Sequence, residues 1–153
     1  MPEFAANTIQ TVEPGASLVF TTFPSIMDAG LIVWDEPMNA IILKGIVHNE
    51  SGCCAWKNSF AQYYAQFSAN IQIPTDGEVG EISLAIAING EIIPTSQMIV
   101  TPAAAEELQN VSTQVYVPVP KNCCQSISVR NTSDQAIEVQ NANLNIFRPD
   151  LSR

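Results

Sequence analysis

AQYYAQFSANIQI, residues 61–73, alternates apolar and polar side chains without a break. Ala61, Tyr63, Ala65, Phe67, Ala69, Ile71 and Ile73 share one side of a two-residue period. Gln62, Tyr64, Gln66, Ser68, Asn70 and Gln72 share the other. That period puts the first set on one face of a β-strand and the second set on the opposite face. A helix would scatter the same apolar residues around its circumference. The polar side carries amides and hydroxyls and no charge, which is unusual for a face left only to water. At ~3.3 Å per residue the run would span ~43 Å, longer than most strands. It is therefore expected to bend around its partner sheet or to extend past its neighbours.

The rest of the chain reads as short strands separated by turn signals. Ser17–Thr21, Leu31–Trp34 and Ala40–Lys44 are apolar runs, with Asp35-Glu36-Pro37 a turn between the last two. Pro74–Gly80 is punctuated as a turn. In Glu81–Ile88, Ile82, Leu84, Ile86 and Ile88 line one face and Ser83, Ala85 and Ala87 the other. Asn89-Gly90 then predicts a type I′ hairpin, because both central residues need positive φ. Glu91–Ile93 returns from it, Pro94 limits that strand, and Met98–Val100 is another short strand.

Thr101-Pro102 followed by Glu106 and Glu107 is the one helical signal, with Thr as cap and Pro at the first helical position. Val111, Thr113, Val115, Val117 and Val119 alternate with polar residues and Tyr116, and Pro118 and Pro120 share the outer face. Ser126–Arg130 is a strand. The last strand holds Ile137 and Val139 inward at its start but Ala142, Leu144 and Ile146 inward at its end. That switch of parity predicts a β-bulge near Gln140-Asn141. Many short strands with almost no helix imply an all-β sandwich or barrel.

A length of 153 residues fits one domain with a sizeable core. Charged residues make up 14% of the chain, well below the ~25% usual for soluble domains. This composition points to surface hidden against further copies of the chain. The net charge is −9, and the acidic residues are scattered rather than gathered in a tail. Without a basic patch, nucleic-acid binding is disfavoured, and no nucleic-acid partner is expected. No apolar run approaches the ~18 residues of a membrane-spanning helix. The opening residues show no basic region followed by an apolar core, so the protein is expected to be made in the cytoplasm without a signal peptide.

The four cysteines form two adjacent pairs, Cys53-Cys54 and Cys123-Cys124. Neighbours on a strand face opposite sides, which disfavours four thiolates on one zinc. Reduced thiols and one cross-strand disulfide both remain open. His48 is the single histidine, and no nucleophile motif surrounds it. Asp76-Gly77-Glu78 reads as a turn, since it lacks the ligand count calcium needs. Three Asn-x-Ser/Thr matches, at Asn49, Asn110 and Asn131, are expected to stay bare. No catalytic set, metal site or cofactor is expected.

GEISLAIAINGEIIP (residues 80–94) resembles the central hairpin of bacterial and phage jelly rolls of the tumour necrosis factor and complement globular-head type. VRNTSDQAIEVQNANLNIFR (residues 129–148) is similar to their closing strands, with Asn141, Ala142, Leu144 and Ile146 matching an Asn-Ala-x-Leu-x-Ile pattern. The resemblance extends to small prophage-encoded proteins and, more loosely, to the C-terminal domains of collagen-like spore-surface glycoproteins. It spans roughly residues 16–148. It implies a two-sheet, ten-strand jelly-roll sandwich, with at most one short helical turn near 102–108. It also implies a compact homotrimer without catalytic residues. Residues 1–15, with Pro2, Pro14 and Gly15, read on their own as an amino-terminal arm in which Ile9 and Val12 are spaced as a possible short strand, ahead of a domain at 16–150.

Gln62, Tyr64 and Gln66 are the candidate trimer interface, because aromatics are enriched and charge is depleted where subunits meet. A sugar-binding strip is the competing reading of the same residues. The chain as it stands shows no Gly-x-y stalk. The expectation is therefore a protein of the virion surface, decorating the capsid of a tailed phage, with a capsid protein as partner. The alternatives are a receptor- or host-glycan-binding module of a tail or fibre, with Trp34 and Trp56 as contacts, or a spore or cell-surface layer protein.

Overall fold

The computed structural model describes residues 3–22, 31–35, 40–45, 60–121 and 124–148. They form eleven strands: β1 (Glu3–Ala6), β2 (Gln10–Val12), β3 (Ile32–Asp35), β4 (Ala40–Lys44), β5 (Phe60–Gln72), β6 (Ile82–Ile88), β7 (Glu91–Ile92), β8 (Met98–Val100), β9 (Gln109–Pro120), β10 (Cys124–Asn131) and β11 (Ile137–Phe147). One sheet runs β1-β11-β5-β9, and β2 continues the β1 edge of β11. The other runs β3-β4-β10-β6, with β7 and β8 pairing with β6. Every pairing among these strands is antiparallel. The chain is an all-β sandwich, and its inner faces hold a single apolar core.

The long strand β5 is the centre of the first sheet. It pairs with β9 from Phe60 to Ile71 and with β11 from Tyr64 to Gln72. Its length is thus matched by its neighbours rather than running past them. Ala61, Tyr63, Ala65, Phe67, Ala69, Ile71 and Ile73 are all buried, as the alternation requires. Tyr63 crosses the core: its hydroxyl donates to Lys44 O at 2.6 Å, with Leu31 O beside it at 3.0 Å. The Arg148 guanidinium lies 5.2 Å from the centre of its ring.

Two local expectations appear in the backbone angles. Asn89 and Gly90 both have positive φ, 51° and 86°, and close the β6–β7 hairpin. Asn141 has φ 55°, and the β5–β11 register shifts between Gln140 and Asn143. This is the bulge that the change of parity demands. It lets Val139 and Ala142 both face inward.

Three expectations are corrected. The amino-terminal segment is no free arm: β1 pairs with Asn145–Ala142 and β2 with Ile137–Val139. Phe4, Ala6 and Val12 are buried there, so strand pairing and burial together hold the segment down. Ser17–Thr21 is not a strand but a strap between the sheets. Leu18 N donates to Val129 O on β10, and Thr21 N and Thr22 N donate to Ala5 O on β1. The Gln10 side chain supplies the missing pairing, donating to Val19 O and accepting from Val19 N, each at 2.9 Å.

Residues 102–108 form no helix. Glu106 takes a left-handed φ of 63°, and its N–H donates to Ile73 O. A bond to the residue that follows β5 thus replaces the intrahelical one. The Glu107 carboxylate accepts from Ala103 N, as it would at a helix start, but the chain turns away. A short 3-10 turn occurs instead at Pro94–Ser96.

Candidate functional site

The outer face of the β11-β5-β9 sheet carries the polar half of the long strand. Cross-strand register arranges it in rungs. Tyr116, Tyr64 and Phe147 form one rung, and Gln114, Gln66 and Asn145 the next. Ser112, Ser68 and Asn143 follow, then Asn110, Asn70 and Gln140. Beyond the aromatic rung, Gln62 lies opposite Pro118 and Phe60 opposite Pro120. The face is therefore aromatic and proline-rich towards one end and amide-rich towards the other.

The aromatic rung is packed. Tyr64 meets Tyr116 edge-on with ring centres 5.0 Å apart, and Phe147 at 4.9 Å. Tyr116 nevertheless remains 66% exposed, and Phe60 48%. Exposed ring area of this kind gains most when it is buried. The Tyr64 hydroxyl donates to Gln114 Oε1, which ties the aromatic rung to the amide rung.

The amide end is a shallow groove of about 590 Å³ over β9, β5 and β11. Gln66, Ser68, Ser112, Gln114, Asn143 and Asn145 line it. Asn145 Nδ2 donates to Asn143 Oδ1 at 2.8 Å, and Asn143 Nδ2 donates to the Glu3 carboxylate. Further along, Asn110 Nδ2 donates to Asn70 Oδ1 at 3.1 Å. Among the described residues, the charged side chains on this face are Glu3 and Glu138, both at its margin. Neutral amides, hydroxyls and rings can hold another uncharged surface.

The sequence brought Gln62, Tyr64 and Gln66 together, and the structure keeps them on one face. It adds Tyr116 and Phe147, which lie far away along the chain. Their signal was present as parity: Tyr116 shares its outward period with Pro118 and Pro120, and Phe147 continues that of Asn143 and Asn145. Trp34 sits on β3, within the apolar run read at Leu31–Trp34. It is half-buried against the core, with its ring 6.2 Å from Phe4. Trp56, His48, Cys53, Cys54 and Cys123 lie outside the described residues, and Cys124 is an exposed free thiol. At Asp76-Gly77-Glu78, the Gly77 N–H donates to Pro74 O and the Glu78 N–H to Gln135 Oε1, which is turn geometry. Among the described residues no cluster of three or more His, Cys, Asp or Glu could hold a metal, and no helix is long and apolar enough to cross a membrane.

No protein-family model and no curated protein sequence matches the chain. Solved structures do. The globular domain of zebrafish complement 1qA protein superimposes with a TM-score of 0.58 at 10% identity, covering 97% of this chain and 95% of that one. The Eiger TNF of S. frugiperda gives a TM-score of 0.62 at 10% identity, covering 96% of this chain and 90% of that one. Sheet order, core and these overlaps give the chain the jelly-roll fold of tumour necrosis factor and the complement C1q globular domain.

Proposed function

We propose that this chain is a non-enzymatic structural subunit that assembles with copies of itself, as a homotrimer, through the outer face of the β11-β5-β9 sheet. The observation that carries the reading is the Tyr116-Tyr64-Phe147 rung. It is an ordered aromatic cluster, exposed at Tyr116, on a face whose interior bears no charge. Burying it gains apolar area without stranding an ion. The net charge of −9 belongs to the remaining surface, where it keeps crowded copies soluble and apart. The setting proposed for the trimer is the capsid surface of a tailed phage, with a capsid protein beneath it. The likeness of residues 80–94 and 129–148 to prophage-encoded jelly rolls supports that setting.

Sedimentation velocity at micromolar concentration tests the self-association. The native chain is expected as one trimeric species, and Tyr116→Lys as a folded monomer. A monomeric native chain, or a Tyr116→Lys variant that sediments like the native protein, would refute the reading. Electron microscopy of the native particle tests the setting: threefold density on the head supports it, and bare heads contradict it.

A further inference from the structure

We infer that the amide rung, Gln114-Gln66-Asn145, fixes how many copies assemble, while the aromatic and proline end supplies the attraction. The inference rests on the proposed self-association through this face. Apolar burial is non-directional, so Phe60, Pro118, Pro120, Tyr116 and Phe147 alone would tolerate sliding and several stoichiometries. A primary amide is directional: it presents two donors and an acceptor in one plane, and it is costly to bury unpaired. A buried Asn in a coiled-coil seam selects register and oligomer number in this way, at some expense of stability.

The rung's unspent hydrogen-bonding groups differ from one side to the other. On β9, Gln114 has its Oε1 engaged by Tyr64 and its Nε2 donors unspent. On β11, Asn145 has its Nδ2 engaged by Asn143 and its Oδ1 acceptor unspent. In the middle, the Gln66 amide makes no hydrogen bond among the described residues, so both of its functions are open. Beyond Asn145 the rung ends on Glu3 of β1, whose carboxylate is engaged by Asn143 Nδ2, so one flank offers donors and the other acceptors. An arrangement in which the β9 side of one copy meets the β11 side of the next pairs them. A closed ring repeats that contact around its axis. All three amides of the rung line the groove on the outer face.

Native mass spectrometry of Gln66→Leu/Asn145→Leu tests this. Leucine keeps the approximate volume, supplies more apolar area and removes the directional groups. The variant is expected to stay folded and associated, but to spread over several stoichiometries where the native chain shows one. Gln66→Asn, which keeps an amide, is expected to retain the single mass. Ser128→Leu/Glu91→Leu adds apolar side chains to the other sheet and is also expected to retain it. If the double variant fails to fold, Gln66→Leu alone gives the same readout, because Gln66 is exposed in the single chain. A single native-like mass for the leucine variants overturns the inference. So does complete dissociation, or an equal spread in the Ser128→Leu/Glu91→Leu control. A monomeric native chain would instead overturn the self-association on which the inference rests.

Discussion

Asn131→Ala removes the side chain that pins the amino-terminal segment to the sandwich. Asn131 is 1% exposed. Its Nδ2 donates to Val12 O and to Gln135 O, each at 2.9 Å, and its Oδ1 accepts from Ser133 N at 2.8 Å. Alanine leaves two carbonyls and one N–H without these partners. Each orphaned buried group costs about 1–3 kcal/mol. Water entering the vacated space relieves the carbonyls in part, so the expected loss is about 3 kcal/mol, near the upper range for a point substitution. For a chain of this size that lowers Tm by roughly 6–12 °C. Urea titration should show a lower midpoint with an unchanged slope. Hydrogen exchange should quicken at Gln10–Val12 and Gly15–Leu18 before the central strands, since Val12 O loses its donor and Asn131's own backbone pairs with Gly15 and Ala16. A loss under about 1 kcal/mol, within the range of a surface substitution, would refute the claim that this amide anchors β2 and the strap.

Asn131→Asp places a carboxylate between the same two carbonyls. Its folded pKa should rise above the unfolded value of about 3.9, so stability should be greatest below that pH and fall as pH rises towards the folded pKa; thermal melts at pH 4 and pH 7 check the sign. Tyr63→Phe keeps the buried ring but removes the hydroxyl that donates to Lys44 O, while Leu31 O keeps its bond from Lys44 N, and should cost about 1–2 kcal/mol in urea titration. Asn141→Gly should be neutral or mildly stabilising, whereas Asn141→Val should cost about 1–2 kcal/mol, because φ is 55° at the bulge. Gly77→Ala should destabilise through crowding: its Cβ would sit 2.6 Å from Ile73 Cγ2 and 2.9 Å from Gln135 Oε1, displacing the side chain that ties Glu78 to the turn.

What the sequence made legible were features written over many residues or in one compulsory conformation. The alternation at 61–73 needed no partner to be read. Asn89-Gly90 admits few turns, and a change of inward parity within one strand leaves a bulge as its resolution. The features it hid depend on contacts made elsewhere. β1 has four residues, too few for a period to show, and is held by β11 more than a hundred residues later; β2 falls where the spacing of Ile9 and Val12 allows a short strand, but its pairing with β11 is not written there. The Thr-Pro…Glu-Glu start at 101–107 has the local chemistry of a helix, yet the Ile73 carbonyl captures the Glu106 N–H. Gln62, Tyr64 and Gln66 were visible as an uncharged strip. That Tyr116 and Phe147 flank Tyr64 follows from register, which a single strand does not encode.

The central claim, that copies meet on the β11-β5-β9 face, can be read from its tyrosines. The chain has three, and they make a graded set: Tyr63 is buried, Tyr64 half-buried, and Tyr116 66% exposed within one chain. Tyrosine nitration of the native protein, located by mass spectrometry across a dilution series, reports each of them. Tyr116 is expected to be protected at micromolar concentration and reactive once dilution separates the copies, with Tyr63 protected throughout. A Tyr116 that reacts as readily in the concentrated native protein as in the dilute one would contradict it.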